Sequence, residues 1–241
     1  MASKKAKHKA KPVHKVHKKP EKKAAPKAVP KMPPVEKMAD EKAFELLKKY
    51  KISLVPQMVI KKDSELPAAL KKIGFPCVMK VSSSKIIHRT EVGGVLRNIK
   101  SDAEAMEAFG RLMKIKNNEK VIVQKHLEDL EIIVGGKYDP QFGYVVSVGL
   151  GGQFVEILKD ITFRIAPVTP ADVHAMLKEL KGYDVLKGFR NFKPVNMETL
   201  AEAIVNVSRM ISNEKIKEMD LNPLFCSDKG CWAADVRLIK Q

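Results

Sequence analysis

Four residues in the first half of the sequence have the types and spacing needed to act on a phosphate group. Lys80 ends an apolar run, His88 follows after a polar segment, and Gly93 and Gly94 come next. Glycines after a strand let backbone N–H groups approach a phosphate, and a lysine supplies positive charge. Phosphate binding needs no histidine, but an imidazole can accept a phosphoryl group or act as a general base. The segment therefore predicts a phosphate site with a reactive histidine. A β-hairpin with a solvent-exposed histidine is the structural alternative.

A second group of polar residues lies near the end of the chain, in EMDLNPLF and the later AADV. Asp220 and Asn222 are two residues apart and therefore face the same side of a strand. Asp235 lies on or beside the following strand. Carboxylate and carboxamide oxygens on neighbouring strands suit Mg²⁺, which takes few protein ligands when it also binds nucleotide phosphates. Turn-forming Asp and Asn residues without a metal are the alternative interpretation.

The 241 residues carry a formal net charge of +17, which suggests a nucleic-acid ligand if the charge is spread over a folded surface. Thirteen lysines and two glutamates fall within residues 1–37, so this segment carries +11 and residues 38–241 carry +6. Residues 1–37 also hold six of the fourteen prolines and few large apolar side chains, too few to offset the entropy of ordering. We expect a disordered basic tail at 1–37 and a folded domain at 38–241. A nucleic-acid-binding arm is the less favoured interpretation of the tail.

Composition also indicates the cellular compartment in which the protein is expected. Hydrophobic residues make up 44% of the chain and charged residues 30%, as in a soluble globular protein. No apolar run approaches the roughly 18 residues of a membrane-spanning helix, and the N-terminal residues are too charged for a signal peptide. The three cysteines are too few to suggest a disulfide framework. We therefore expect a cytoplasmic protein with no membrane contact.

The elements that must position these groups follow from apolar periodicity and turn residues. Ser101 is a plausible N-cap and Gly74 a plausible helix end. Helices are predicted at 39–50, 64–74, 101–116, 170–182 and 197–212. Strands are predicted at 52–60, 75–81, 95–99, 121–127, 131–138, 144–152 and 154–160, with two closing strands around a turn at Ser227–Gly230. This pattern predicts an α+β fold of two lobes, about 38–124 and 125–241, with a cleft between them.

Several motifs resemble those of a known family, in its order and at nearly its spacing. They are GFPCVMKVSSSKIIHRTEVGGV at 74–95, VIVQKHL and EIIVGG within 121–136, DPQFGYVVSVGLGGQFVEILKDITFRIAP at 139–167, and EMDLNPLF with AADVRLI within 218–239. The sequence looks like the β subunit of ADP-forming acetyl-CoA synthetase (acetate–CoA ligase, ADP-forming), an ATP-grasp protein. The resemblance covers about residues 38–241 and leaves only the basic tail uncovered. It implies an ATP-grasp fold with the nucleotide cleft between two lobes.

The resemblance implies a reversible reaction in which acyl-CoA, ADP and phosphate give a free acid, CoA and ATP. In this family a phosphoryl group is thought to travel on histidines between a CoA-binding α subunit and the ATP-grasp β subunit. His88 matches the β-subunit histidine that is transiently phosphorylated. ATP or ADP and Mg²⁺ are the implied cofactors. The implied partner is a separate CoA-binding α subunit, most simply in an α₂β₂ assembly.

The resemblance also implies roles for the other candidate residues. Lys80 matches the lysine at the nucleotide phosphates, and Glu131 the glutamate after the interlobe hinge. Asn222 and Asp235 match Mg²⁺ ligands of the related succinyl-CoA synthetase β subunit, and Asp220 stands where that enzyme has a glutamate. The remaining nucleotide-binding candidates would flank adenine or bind phosphate: Gly93, Gly94, Gln124, Lys125, Leu127 and Arg164. For Arg164, a salt bridge on a lobe surface is the alternative.

Two other functions remain open at this stage. Another ATP-grasp carboxylate ligase, which makes an acyl phosphate directly, would not need His88. A nucleic-acid-binding protein whose tail is the working part would lose affinity steeply with salt. Substitution of His88 or Asn222 would have little effect on such a protein.

Overall fold

Two antiparallel sheets with helices packed on each form the folded part of the chain. The computed structural model describes residues 37–152, 160–189 and 193–240. The predicted tail therefore lies outside the described residues except for Lys37, which is buried and paired with Asp40. The folded part thus includes Lys37, one residue earlier than expected.

Six α-helices, one short 3-10 helix at Asp63–Glu65 and ten strands occur in these described ranges. The helices are α1 Asp40–Lys49, α2 Leu66–Ile73, α3 Asp102–Met113, α4 Pro170–Glu179, α5 Tyr183–Leu186 and α6 Met197–Asn213. The strands are β1 Gln57–Ile60, β2 Cys77–Ser82, β3 Val95–Ile99, β4 Lys120–Lys125, β5 Leu130–Asp139, β6 Gly143–Leu150, β7 Ile161–Ile165, β8 Ile216–Ser227, β9 Gly230–Ala233 and β10 Val236–Lys240. None of the helices in this part of the chain has the length and apolarity needed to cross a membrane.

The smaller sheet has the strand order β1-β4-β2-β3, and every pair in it is antiparallel. Helices α2 and α3 pack on one face, where Met79 and Val81 of β2 enter the core. Because side chains alternate along a strand, Val78 and Lys80 face the opposite side. We call this sheet with α2 and α3 the small lobe. It places Lys80 on the face that the helices leave open.

The larger sheet has the order β10-β8-β5-β6-β7, with β9 paired to the second half of β8. Helix α6 buries a stripe of apolar residues at helical spacing against it, including Leu200, Ile204, Val207 and Ile211. Asn196 caps α6 by accepting a hydrogen bond from the Thr199 N–H at 3.1 Å. We call this sheet with α1 and α4–α6 the large lobe.

Helix α1 departs from the expected division of the lobes. The sequence division at 38–124 assigns it to the first lobe, but Ala43, Phe44 and Leu47 pack in the core of the large lobe. The Met38 N–H also donates to Leu238 O of β10 at 2.8 Å. Periodicity shows that a helix has an apolar face but does not say which sheet that face covers. The small lobe therefore begins after α1.

The strand predictions differ from the structure at two places. The strand predicted at 154–160 lies outside the described residues apart from Asp160, and the following strand β7 was not predicted. Its residues alternate between exposed and partly exposed, so it lacks the buried run that marks a central strand. The closing segment forms three strands rather than two, because the chain bends at Ala234 and Asp235 between β9 and β10.

Candidate active site

Two clefts meet where the small lobe faces the closing strands of the large lobe. The first, of about 320 Å³, is lined by His88, Asp220 and neighbouring residues. The second, of about 300 Å³, is lined by Lys80, Glu131 and the end of β4. Both clefts are lined in part by the same three residues: Thr90, Asn222 and Asp235. Two of the three predicted metal ligands, Asn222 and Asp235, therefore stand between the predicted phosphate lysine and the predicted reactive histidine.

Lys80 is a buried cation at the second cleft. Its ammonium donates to Ala234 O at 3.1 Å, and 6% of the residue is exposed. Burial lowers the pKa of Lys80 to about 8, and repulsion from Arg89 and Arg97 adds to this effect while Asp235 opposes it. A phosphate bound in the cleft would supply the negative charge that the site lacks and would favour the charged form of the lysine.

The end of β4 forms another wall of the second cleft. Gln124 is buried and donates to Gln57 Oε1 at 2.7 Å and to Ala234 O at 2.9 Å. Lys125 and Leu127 also line this cleft, and the Lys125 N–H donates to Pro56 O at 2.9 Å. The structure thus brings these three predicted residues together with Lys80.

Glu131, at the start of β5, lies on the far side of the same cleft. The N–H of Gly151 donates to Glu131 O at 2.6 Å. A Cβ atom on Gly151 would lie 2.9 Å from Glu131 Cβ, and one on Gly152 would lie 3.3 Å from Glu131 Oε2. The two glycines therefore let the turn after β6 pack directly on Glu131. That turn leads into residues 153–159, which lie outside the described ranges.

Asn222 and Asp235 are neighbours, as a shared metal site requires. The Asn222 N–H donates to Asp235 O at 3.3 Å, and the Asp235 side chain is 28% exposed. A carboxamide and a carboxylate fit Mg²⁺ as partial ligands. Among the described residues, no three His, Cys, Asp or Glu side chains are placed to hold a metal by themselves. An ion here would take its remaining ligands from phosphate oxygens and water.

Asp220 lies on the same side of β8 as Asn222 but lines only the first cleft. Its carboxylate accepts hydrogen bonds from Arg237 Nε at 3.1 Å and Nη2 at 2.5 Å. The same guanidinium also pairs with Glu218. Asp220 therefore lines the first cleft together with His88, and its negative charge is already paired with Arg237.

His88 lies at the exposed centre of the loop that joins β2 to β3, residues 83–94, which we call the His88 loop. Hydrogen bonds fix the loop on both sides of the histidine. The Lys85 N–H donates to Ser83 Oγ at 3.2 Å, and the Gly94 N–H donates to Arg89 O at 2.7 Å. The imidazole is thus presented to the first cleft by a backbone held at its two ends.

The two glycines of this loop line neither cleft, so their position does not support the prediction that they bind phosphate. The Gly93 N–H donates to Thr90 O at 3.1 Å and that of Gly94 to Arg89 O, so both amides are occupied. Gly93 has a φ of +65°, which favours glycine. A Cβ on Gly94 would lie 2.6 Å from Val81 Cγ2 and 2.9 Å from Arg89 O. These glycines close the loop instead of cradling a ligand.

Arg164 does not reach either cleft, so its position does not support the predicted phosphate role. It lies on β7 and forms a two-point ion pair with Glu179 of α4, in which Nη1 donates to Oε2 at 3.1 Å. It lines neither cleft. The alternative, a salt bridge on a lobe surface, describes it correctly.

Three charged residues at the site were not predicted: Lys37, Asp40 and Arg97. The burial of Arg89, which flanks His88 in the sequence, was not predicted either. Arg89 follows His88 directly, yet it is 6% exposed. Its Nη2 lies 2.6 Å from Asp40 Oδ2 and its Nη1 pairs with Asp235 Oδ1. A buried arginine next to an exposed histidine has no sequence signature. Arg97 lies two residues after Val95 on β3, and both line the second cleft.

Asp40, in the first turn of α1, is the carboxylate of this group, and its side chain is almost completely buried. It accepts hydrogen bonds from Lys37 Nζ at 2.9 Å and Ser82 Oγ at 2.8 Å, besides pairing with Arg89. Burial alone would raise the pKa of Asp40, but Arg89 and Lys37 outweigh burial and lower it. The carboxylate is therefore a permanent negative charge that joins α1, β2 and the His88 loop.

Comparison with known proteins identifies one protein family. The sequence matches the ATP-grasp domain family over residues 35–239. It is 43% identical over 211 residues to the β subunit of acetate–CoA ligase [ADP-forming] I of Pyrococcus furiosus, covering 84% of this chain and 91% of that subunit. It is 42% identical over 195 residues to acetate–CoA ligase [ADP-forming] II of Archaeoglobus fulgidus, covering 80% of this chain and 29% of that protein. The chain therefore spans most of the first relative and less than a third of the second.

A solved structure has the same fold. It is acetyl-coenzyme A synthetase 1 of Ca. Korarchaeum cryptofilum in complex with coenzyme A and Mg-AMPPCP, with its phosphohistidine segment pointing towards the nucleotide binding site. The TM-score is 0.73 at 34% sequence identity, covering 86% of this chain and 93% of that chain.

Proposed function

Because the chain belongs to the ATP-grasp family and, within it, to the β subunits of ADP-forming acetate–CoA ligases, we propose that it is the nucleotide-binding subunit of an ADP-forming acyl-CoA synthetase. The reaction is the reversible conversion of acyl-CoA, ADP and phosphate into a carboxylate, CoA and ATP. The observation that carries this proposal is the wall shared by the two clefts. Lys80 lies on one side of it and His88 on the other.

The second cleft binds the nucleotide in this proposal. Gln124, Lys125 and Leu127 flank the base, and Lys80 neutralises phosphate oxygens from the floor of the small lobe. Arg97 is a further cation lining the same cleft. Phosphoryl transfer needs mainly positioning and charge neutralisation, and buried cations supply both because they act in a medium of low dielectric constant.

The metal site lies where the nucleotide phosphates would meet His88. Asn222 and Asp235 would hold Mg²⁺, which would neutralise the phosphate charge and orient the γ-phosphoryl group. The chain itself contributes the position of these two ligands, fixed by the hydrogen bond between the Asn222 N–H and Asp235 O.

His88 then accepts the phosphoryl group. The lone pair of one imidazole nitrogen forms a bond to the γ-phosphorus while the bond to the β–γ bridging oxygen breaks, and ADP leaves with that electron pair. A high-energy phosphoramidate on an exposed loop can pass the group onward, which divides one long transfer into two short ones. In this ATP-consuming direction the next acceptor is a residue of the partner, and in ATP synthesis the same steps run in reverse, with phosphorylated His88 donating to ADP.

The CoA and acyl groups are handled by a CoA-binding α subunit, most simply in an α₂β₂ assembly. This part of the proposal is supported by the similar length of the Pyrococcus furiosus β subunit, of which the match covers 91%. We also propose a cytoplasmic location, supported by three unpaired thiols, Cys77, Cys226 and Cys231, because disulfides are uncommon in reducing compartments.

Phosphate mapping tests the proposed function. The purified full-length chain, with a candidate α subunit, is incubated with Mg²⁺ and ATP labelled at the γ-phosphate, and acid-labile label is located by peptide mapping. We expect label on His88 that is lost in His88→Ala and in Asn222→Ala but kept in Arg164→Gln. CoA-dependent ATP synthesis without label on His88 would overturn the relay and favour direct formation of an acyl phosphate.

A further inference from the structure

Arg89 joins three separate segments at the border of the two clefts. It belongs to the His88 loop, its Nη2 lies 2.6 Å from Asp40 of α1, and its Nη1 pairs with Asp235 between β9 and β10. The two carboxylates differ in their surroundings. The side chain of Asp40 is 1% exposed, whereas that of Asp235 is 28% exposed and faces both clefts.

Because of these surroundings, we expect the contact of Arg89 with Asp40 to be fixed and its contact with Asp235 to be exchangeable. Asp40 is held by Lys37 and Ser82 as well as by Arg89, so the contact with Asp40 is anchored from three sides. Asp235 is open to solvent on the cleft side. The Arg89 Nε and Nη2 atoms are both buried without a hydrogen-bond partner among the described residues, although Nη2 is close enough to Asp40 for an ion pair. A buried donor left unpaired costs free energy, so the observed arrangement does not satisfy the guanidinium fully.

The proposed metal site adds a competitor for one of these contacts. A divalent cation bound to Asp235 would lie close to the guanidinium on the same carboxylate, and like charges at that distance repel. The carboxylate cannot serve both partners fully. When the cation takes Asp235, Arg89 keeps Asp40 and releases Asp235.

We propose that Arg89 is a positioning residue that competes with the metal ion for Asp235 and thereby couples metal binding to the His88 loop. Without metal, the guanidinium ties the loop to the bend between β9 and β10. With metal, the loop stays anchored to α1 alone, next to the histidine that must move a phosphoryl group. This inference rests on the proposed function for the identity of the metal site but not for the ion pairs.

Nucleotide titrations with and without metal test the competition. The dissociation constant of a non-hydrolysable ATP analogue is measured on the full-length chain in EDTA and in Mg²⁺. The value in EDTA divided by the value in Mg²⁺ is the metal enhancement. We expect Arg89→Gln to increase this ratio about fivefold, the effect of removing one charge-assisted hydrogen bond that competes for the same carboxylate. A purely structural role would weaken binding in both buffers and leave the ratio unchanged.

Two further variants complete the design. Arg89→Lys should give an intermediate ratio, because one ammonium cannot bridge two carboxylates as a planar fork does; it also serves if Arg89→Gln fails to fold. Arg164→Gln removes an arginine that pairs with Glu179 away from the clefts and should leave the ratio as in the wild type. An unchanged or smaller ratio in folded Arg89 variants would overturn the competition.

Failure of the proposed function gives a different result. If the wild type binds no nucleotide in either buffer, the nucleotide role is wrong and the ratio is undefined. Mn²⁺ alone, followed by electron paramagnetic resonance, then tests the same competition. Tighter Mn²⁺ binding in Arg89→Gln, abolished by adding Asp235→Asn, would support it, and equal binding in wild type and Arg89→Gln would exclude it.

Discussion

The buried charge of Lys80 destabilises the free protein, and a bound nucleotide can offset this loss of stability. The side chain is buried, its ammonium has one carbonyl partner at 3.1 Å, and two arginines lie close enough to repel it. A lysine in such a place is charged at the expense of stability. Its position at the second cleft explains why the cost persists, because phosphate oxygens are the partners that the ammonium lacks.

Replacing Lys80 with methionine should therefore stabilise the free protein and abolish nucleotide binding. The pKa of Lys80 falls from 10.5 to about 8 in the folded state, and one unit corresponds to about 1.4 kcal/mol. After allowing for the lost hydrogen bond, we expect Lys80→Met to raise the free energy of unfolding by about 1–3 kcal/mol at pH 7. Urea denaturation measures the first effect and calorimetric titration with an ATP analogue the second.

The sign of the pH dependence provides a further check on Lys80. Between pH 8 and 10.5 the unfolded chain holds more protons on this residue than the folded chain, so wild-type stability rises with pH across that window. The advantage of Lys80→Met should be complete below about pH 8 and disappear near pH 10.5. Lys125→Met, at the same cleft but exposed, should have a stability close to that of the wild type at pH 7. A variant less stable than wild type at pH 7 would show that Lys80 is not strained.

Asp40 should be among the most sensitive charged residues for stability. Its replacement by asparagine leaves Arg89 and Lys37 buried with less negative charge, and breaking one partner of a buried ion pair costs about 3–5 kcal/mol. Because the pKa of Asp40 is lowered in the folded state, its contribution is present above the ordinary carboxyl pKa and is lost as the pH falls through the folded value. Asp40→Asn should thus be destabilised near pH 7 and differ less from wild type in acid.

Thermal unfolding at several pH values measures this effect. Asp184→Asn is the matched control, because its carboxylate pairs with Lys187 on the surface, where both side chains are more than half exposed. The control should unfold close to wild type at every pH. Equal behaviour of the two variants near neutral pH would mean that the cluster around Asp40 contributes no more than a surface pair.

At the level of elements, the His88 loop depends on close packing at its C-terminal end. A Cβ on Gly94 would meet Val81 Cγ2 at 2.6 Å and the backbone oxygen of Arg89 at 2.9 Å. The backbone oxygen cannot move without moving the loop. We expect Gly94→Ala to lower the free energy of unfolding by about 1–3 kcal/mol, the usual cost of overpacking, and to reduce phosphorylation of His88.

Gly110 in α3 provides the opposite case. A Cβ there meets nothing within 4 Å, and alanine is favoured over glycine inside a helix by about 0.5–1 kcal/mol. Gly110→Ala should therefore raise the free energy of unfolding without affecting phosphorylation of His88. Urea denaturation of both variants, with label mapping on each, measures the pair. Gly94→Ala with wild-type stability and labelling would show that the loop end tolerates displacement.

Local patterns predicted most elements, and long-range pairing explains what they missed. Helix α3 and its cap were predicted, and the structure confirms that Ser101 Oγ accepts a hydrogen bond from the Glu104 N–H at 3.2 Å. The same kind of reasoning could not assign α1 to a sheet, because its partners are far away in the sequence. For the site, residue types predicted the histidine, lysine and closing-strand residues that meet at the clefts. Burial of Arg89 depends on Asp40 and Asp235, which no local pattern connects.

On the scale of the whole molecule, the site is assembled from both lobes. The small lobe supplies Lys80 and the His88 loop, and the large lobe supplies Asn222 and Asp235. Gln124 and Lys80 both donate to Ala234 O, so one carbonyl of the large lobe holds two residues of the small lobe at the nucleotide cleft. Most of the net positive charge lies at the start of the sequence, since residues 1–37 carry +11 of the net +17.

Two truncations separate the basic segment from the folded part. Removing residues 1–34 keeps Lys37, whose ammonium lies 2.9 Å from Asp40 within the buried cluster. We expect this variant to match the full chain in melting temperature and in phosphorylation of His88. Removing residues 1–37 deletes Lys37 and leaves Asp40 with fewer partners. Its melting temperature should fall by about 2–4 °C, which is the effect of losing about 1 kcal/mol in a domain of this size. Calorimetry compares the two variants.

Titration of both truncations and the full chain with a DNA oligonucleotide tests the less favoured function. If the basic segment is a binding arm, only the full chain should bind, with an affinity that falls steeply with salt because phosphate contacts release counterions. If the protein acts as the nucleotide subunit, the truncation at 34 retains all phosphoryl chemistry. Loss of His88 phosphorylation in that variant would contradict the assignment, because all the described residues that line the two clefts lie beyond position 34 and the buried cluster around Asp40 remains complete.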